Sequence, residues 1–207
     1  DHPQILLLLT LFLTMITSII IGMGSPTTAN YIITSTIALP AILTLDAQFE
    51  LGIPVLAAHM FVFYFGIVAD ITPPVALAAF AATGISGGDP IRTGINASKL
   101  AIAAFIIPYM FVLQPELLMI DTTILKLIWV LITALTGMVA IGAGVIGFWY
   151  KKLNWVERII SIIAGLLLIY PEGFSDIIGL VIFIAMVVYQ LVFQRNKPAG
   201  QKADVSM

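Results

Sequence analysis

Two short stretches of this chain concentrate oxygen donors and helix breakers within apolar sequence. The first is Gly22-Met23-Gly24-Ser25-Pro26-Thr27-Thr28-Ala29-Asn30, and the second is Asp70-Ile71-Thr72-Pro73-Pro74. Ser25, Thr27, Thr28, Asn30 and Thr72 offer neutral side-chain oxygens, and Asp70 adds one carboxylate. Where a helix is interrupted inside a membrane, freed carbonyls and hydroxyls bind a small hard cation such as Na⁺. The N-terminus of a half-helix there turns N–H groups toward an anion. Asp70 has three other readings: a proton-coupling group, a cap for the following half-helix, or the partner of a Lys or Arg elsewhere.

The surrounding sequence must hold these stretches at membrane depth. Of 207 residues, 60% are hydrophobic and only 10% are Asp, Glu, Lys or Arg, with a mean hydropathy of +1.10. Soluble domains carry about 25% charged residues, and one soluble core cannot hide this apolar excess. The composition therefore predicts an all-α multi-pass membrane protein and excludes a soluble enzyme or a disordered tail. A net charge of -2 gives no basic field for nucleic acid. Cysteine is absent and the histidines are His2 and His59, which excludes disulfides, thiolate metal sites and an H-E-x-x-H centre. His59 reads as a packed residue or a coupling group. The first apolar run lacks a basic n-region and a cleavage site, so it is a poor signal peptide. The start at Asp1 reads as the cut edge of a longer protein.

Apolar runs cover Ile5–Ile21, Tyr31–Leu45, Pro54–Ala69, Val75–Ile85, Leu100–Leu113, Ile124–Phe148, Val156–Tyr170 and Ile177–Phe193. A spanning helix needs about 20 residues. Ile124–Phe148 and Ile177–Phe193 meet that, and Val156–Tyr170 would span by extending into its flanks. The first two runs either both cross or both dip in as a re-entrant hairpin. Their connector has no Lys or Arg and is rich in hydroxyls and small residues, which favours the hairpin. Pro54–Ile85, about 32 residues, would reach roughly 48 Å as one helix. Pro73-Pro74 instead predicts two half-helices, the second starting at Pro73 with Thr72 as its N-cap.

Loop charge predicts orientation. Lys151, Lys152 and Arg158, the tail residues Arg195, Lys197 and Lys202, and the Gly84–Lys99 loop with Arg92 would be cytoplasmic. Asp46, Glu50, Glu116–Asp121, and Glu172 with Asp176 would lie outside. Gly84-Ile85-Ser86-Gly87-Gly88 matches G-x-S-x-G but ends a helix rather than turning from a strand. Gly142–Gly147 matches G-x-G-x-x-G but lies in a transmembrane helix, where small residues serve close packing. Neither is a site.

The Gly22–Asn30 stretch followed by Tyr31–Leu45, then Gly52-Ile53-Pro54, then Asp70–Pro74, resembles the large membrane subunit of tripartite ATP-independent periplasmic (TRAP) transporters. Phe63–Gly94, with its Gly84–Asp89 turn and Arg92, is similar to the fused permeases of that family in particular. The resemblance covers about Leu6–Leu118. It implies a sodium-driven secondary transporter of organic acids in a bacterial or archaeal inner membrane, with a cytoplasmic C-terminus. A periplasmic substrate-binding protein would feed it. It also implies an elevator-type fold of two inverted repeats, each with a re-entrant hairpin and a broken helix. Residues 1–118 would be the second repeat (hairpin 5–45, broken helix 54–85, helix 100–113). Residues 119–194 would be C-terminal transmembrane helices and 195–207 a cytoplasmic tail. The first repeat would belong to a missing N-terminal half of the same permease.

By position, Ser25, Thr27, Thr28, Asn30 and Thr72 would contact substrate. Gly22, Gly24, Ser25, Thr28, Asp70 and Thr72 would hold sodium, and Pro26, Pro73 and Pro74 would make the breaks. The resemblance implies sodium as the coupling ion, and no cofactor or catalytic residue is expected. The alternatives are another sodium- or proton-coupled anion symporter without a binding protein, a structural membrane module, or an intramembrane enzyme using Asp70.

Overall fold

Backbone polar groups in hydrocarbon find no water, so a chain this apolar satisfies them within helices. The computed structural model describes residues 3–170 and 173–192. Among them the helices are α1 (Pro3–Gly22), α2 (Thr27–Ile37), α3 (Leu39–Phe49), α4 (Val55–Val68), α5 (Leu77–Ser86), α6 (Pro90–Leu100), α7 (Ile102–Leu113), α8 (Ile124–Ile146), α9 (Trp155–Ile169) and α10 (Gly173–Val192). Short 3₁₀ turns lie at Ala69–Ile71 and Pro115–Leu118. Glu172 and the tail residues Arg195, Lys197 and Lys202 lie outside the described residues.

Pro3–Gly22, Thr27–Phe49, Ile124–Ile146 and Gly173–Val192 are long and apolar enough to cross a bilayer, and α6 with α7 makes a fifth span if their 42° bend is counted as one. Large apolar side chains such as Ile5, Leu125 and Val181 face outward, as expected where hydrocarbon replaces water. This is an all-α multi-pass membrane protein. Both arms of the hairpin, α1 and α2–α3, are of spanning length, so length alone does not make it re-entrant.

Chain contacts divide the molecule between Leu135 and Thr136. In the N-terminal unit α4 is central and apolar on nearly every side. Its Ala57, Phe61, Val62 and Phe65 are fully buried, together with Leu11 of α1 and Ile42 of α3. Phe61 packs edge-on against Phe65 and against Tyr109 of α7, with ring centroids 4.9 and 5.2 Å apart. The Tyr31–Leu45 run is not one helix: it is divided at Ala38, because Pro40 has no N–H for the carbonyl four residues back. Lys126 at the start of α8 bonds Glu116 at 2.6 Å. Burial raises the Glu116 carboxyl, but the Lys126 hydrogen bond and charge and a backbone hydrogen bond outweigh it and hold it below its ordinary value.

The Gly84–Lys99 loop is corrected as well: most of it is α6. Asp89 caps that helix, its Oδ1 accepting from the Arg92 N–H at 2.8 Å, and Pro90 fits the first turn. The polar outer face of α6 hid it from a search for apolar runs.

In the C-terminal unit, glycines let helices meet backbone to backbone. A Cβ at Gly165 of α9 would lie 2.5 Å from Ile141 Cγ1 and 2.6 Å from the Gly137 carbonyl of α8. Ser161 Oγ donates to the Ala140 carbonyl at 2.6 Å across the same contact. Arg158 closes the C-terminus of α8 by donating to the Gly144 and Val145 carbonyls at 2.8 and 2.7 Å. The expected extension of Val156–Tyr170 into its flanks does not occur. The Asn154–Glu157 capping box fixes the start of α9, and Tyr170 is already extended.

Gly165→Ala should cost roughly 1–3 kcal/mol by overpacking. Gly142→Ala, which meets nothing within 4 Å, should stay within about 0.5 kcal/mol of the parent. Thermal unfolding in detergent would separate them, and equal melting temperatures would refute the tight α8–α9 contact.

Candidate functional site

Helix α1 carries its buried residues, Leu11, Thr14, Ser18 and Gly22, at helical spacing along one face. That face ends at the hairpin tip, where Ser25 N–H donates to the Gly22 carbonyl at 3.3 Å and Gly24 takes φ +80°. Only residues without a Cβ hold that angle readily. Pro26 then precedes α2 with no side chain capping the first turn. The N–H groups of that turn therefore lie beside exposed Thr27 and Thr28.

Asn30, four residues into α2, is 1% exposed. Its Nδ2 donates to the Gly66 carbonyl of α4 at 2.6 Å and to the Gly22 carbonyl of α1 at 3.4 Å. Both glycines are required by this contact. A Cβ at Gly22 would lie 2.6 Å from Asn30 Nδ2, and one at Gly66 would lie 2.8 Å from Asn30 Oδ1. Asn30 Oδ1 and the fully buried Ser18 Oγ have no hydrogen-bond partner among the described residues.

Gly66 lies two residues before α4 ends at Val68. The chain then makes the 3₁₀ turn containing Asp70, and α5 begins only at Leu77. The second half-helix therefore does not start at Pro73, and Thr72 is not its N-cap. Pro73 is itself followed by a proline, which disfavours helical backbone at Pro73, and Ala76 at φ 38° turns the chain into α5. Thr72 instead donates its hydroxyl to the Val68 carbonyl at 2.7 Å. Pro73 and Pro74 have no N–H to give the carbonyls of Ala69 and Asp70. The Ala69 carbonyl takes the Thr72 N–H at 3.2 Å.

The structure thus brings Gly22 and Asn30 of the tip against the end of α4. Ser25, Thr27 and Thr28 make no hydrogen bond to Asp70 or Thr72 among the described residues. Ser25, Asp70 and Thr72 are half-buried, while Gly24, Pro26, Thr27 and Thr28 are exposed. A second link joins the same helices: His59 Nδ1 and the Tyr31 hydroxyl are 2.9 Å apart. Sequence reasoning missed Gly66, although it is the only glycine in Pro54–Ala69. It also missed Ser98 of α6, whose Oγ lies 3.0 Å from the Ile71 carbonyl.

Interrupted helices among apolar spans recur in membrane carriers. The family model described as "Tripartite ATP-independent periplasmic transporter, DctM component" matches residues 3–125. That is more than half of the 207 residues, and the chain belongs to this family of transporter permeases. No curated protein and no solved structure matches it.

Asn30→Ala should cost roughly 1–3 kcal/mol, because the Gly66 carbonyl is left buried without that donor. Asn30→Asp should cost more, since a carboxylate would face two carbonyls. Melting temperature and proteolysis at Met23–Pro26 would report both, and the reverse order would count against the contact.

Proposed function

We propose that the chain is part of a permease that takes up organic acids by sodium symport, receiving them from a periplasmic binding protein. On this reading the hairpin tip and the helix break form one half of the transport site, and the C-terminus is cytoplasmic. The observation that carries it is the Asn30 contact. It ties the oxygen-rich tip to the end of α4, just before the oxygen-rich break, and leaves a buried acceptor, Asn30 Oδ1, without a partner among the described residues.

A sodium ion suits neutral oxygens of this kind, and Gly22, Gly24, Ser25, Thr28, Asp70 and Thr72 lie on the two segments that would supply them. A carboxylate suits the uncapped first turn of α2, which also carries the exposed Thr27 and Thr28.

In the full-length permease reconstituted in vesicles, Ser25→Ala and Thr72→Ala should each raise the half-saturating sodium concentration roughly tenfold, the effect of about 1.4 kcal/mol. Expression should be unchanged. Asp70→Asn tests the proton-coupled alternative, which predicts that uptake then loses its dependence on a pH gradient. Wild-type uptake in both Ser25→Ala and Thr72→Ala would sink the site assignment and favour a structural module. Uptake that persists without a binding protein would favour the other symporter class.

A further inference from the structure

The unwound stretch between α4 and α5 is held from the side by α6, a helix that carries neither of the oxygen-rich motifs. Gly94 and Ser98 lie one turn apart and form the face of α6 that meets it. A Cβ at Gly94 would lie 3.1 Å from Pro73 Cγ and 3.3 Å from Ala76 Cβ, so α6 approaches the break as closely as a missing side chain allows. Ser98 Oγ lies 3.0 Å from the Ile71 carbonyl and 3.1 Å from the Gly94 carbonyl of its own helix.

A hydroxyl has a single proton to donate, and the two carbonyls share it. The Gly94 carbonyl is the partner four residues back that a helical serine always has within reach. Ser98 can therefore engage or release the Ile71 carbonyl without itself losing a hydrogen bond. The Ile71 carbonyl has two lone pairs, so it can accept from Ser98 with one and keep the other for a cation. Ile71 lies between Asp70 and Thr72, the two break residues read as cation ligands.

We infer that Ser98 is a positioning residue for the cation site: its hydroxyl aims the Ile71 carbonyl, while Gly94 sets the height of Pro73. This rests on the cation-coupled reading above. Ion affinity would then depend on a helix outside both motifs, and a displacement of α6 would reach the ion through one hydrogen bond.

The test uses Ser98→Ala, Ser98→Thr and Gly94→Ala in the full-length permease, with two readouts. Sodium-dependent uptake in vesicles gives the half-saturating sodium concentration. Hydrogen–deuterium exchange across Ala69–Ala76 reports the break itself, without transport. Ser98→Ala should raise half-saturation about fivefold, the effect of one lost hydrogen bond, with little change in rate at saturating sodium. It should also speed exchange across Ala69–Ala76. Ser98→Thr should restore both, and Gly94→Ala should shift both in the direction of Ser98→Ala. Unchanged exchange in Ser98→Ala overturns the inference. Unchanged or lowered half-saturation does so too, the latter meaning that Ser98 competes with the ion. If the parent shows no sodium dependence, the cation reading fails, and the exchange readout alone decides whether Ser98 braces the break.

Discussion

The hydrogen bond from Asn30 Nδ2 to the Gly66 carbonyl fixes the hairpin to the interrupted helix, and much of the N-terminal unit is arranged so that it can form. In water such a bond contributes only about 0.5–1.5 kcal/mol net. At a buried site in hydrocarbon no water competes for either partner, so an unmade bond is the costly state. Three features bring the groups together. Gly22 and Gly66 leave room for the amide, Gly24 adopts the left-handed turn that reverses the chain, and the fully buried Ala57, Phe61, Val62 and Phe65 anchor α4.

The same bond lies beside the break. In an uninterrupted α-helix the Gly66 carbonyl would accept from the N–H of Asp70. Here the Ala69 N–H still reaches the Phe65 carbonyl four residues back, and the residues after it wind as a 3₁₀ turn. A change from four-residue to three-residue pairing leaves one carbonyl without a helical donor, and Asn30 supplies it. Tip and break are therefore one structural feature seen from two sides. Tyr31, next to Asn30, and His59, seven residues before Gly66, add a second attachment between the same two helices.

Much of this was legible in the sequence, and the gaps have physical causes. Glycine, proline and hydroxyl residues at Gly22–Asn30 and Asp70–Pro74 marked both irregular segments, because inside apolar sequence such residues have few other uses. The role of Asn30 was only half visible. Its place in the tip suggests an oxygen ligand, whereas its nitrogen bonds a carbonyl 36 residues away, a pairing no local pattern encodes. The start of α5 lies beyond Pro73 because Pro73, though a good first-turn residue by itself, is held out of helical backbone by Pro74. Helix α6 was hidden by its own character: Asp89 and Pro90 signal a helix start, but a search for continuous apolar runs discards an amphipathic segment.

The scarcity of charge fits the proposed site. On the proposed reading, neutral oxygens hold sodium with at most one carboxylate nearby, so a bound ion leaves local positive potential largely uncancelled. In a low-dielectric interior that potential acts over several ångströms, and it adds to the positive end of α2 just beside the tip. An organic acid would then bind more tightly once sodium is present, and by reciprocity sodium would bind more tightly once the acid is present. A cage of several carboxylates would neutralise the ion itself and weaken that mutual dependence. A site made of carbonyls and hydroxyls leaves the ion's charge available to the substrate, which is the physical requirement for moving the two together.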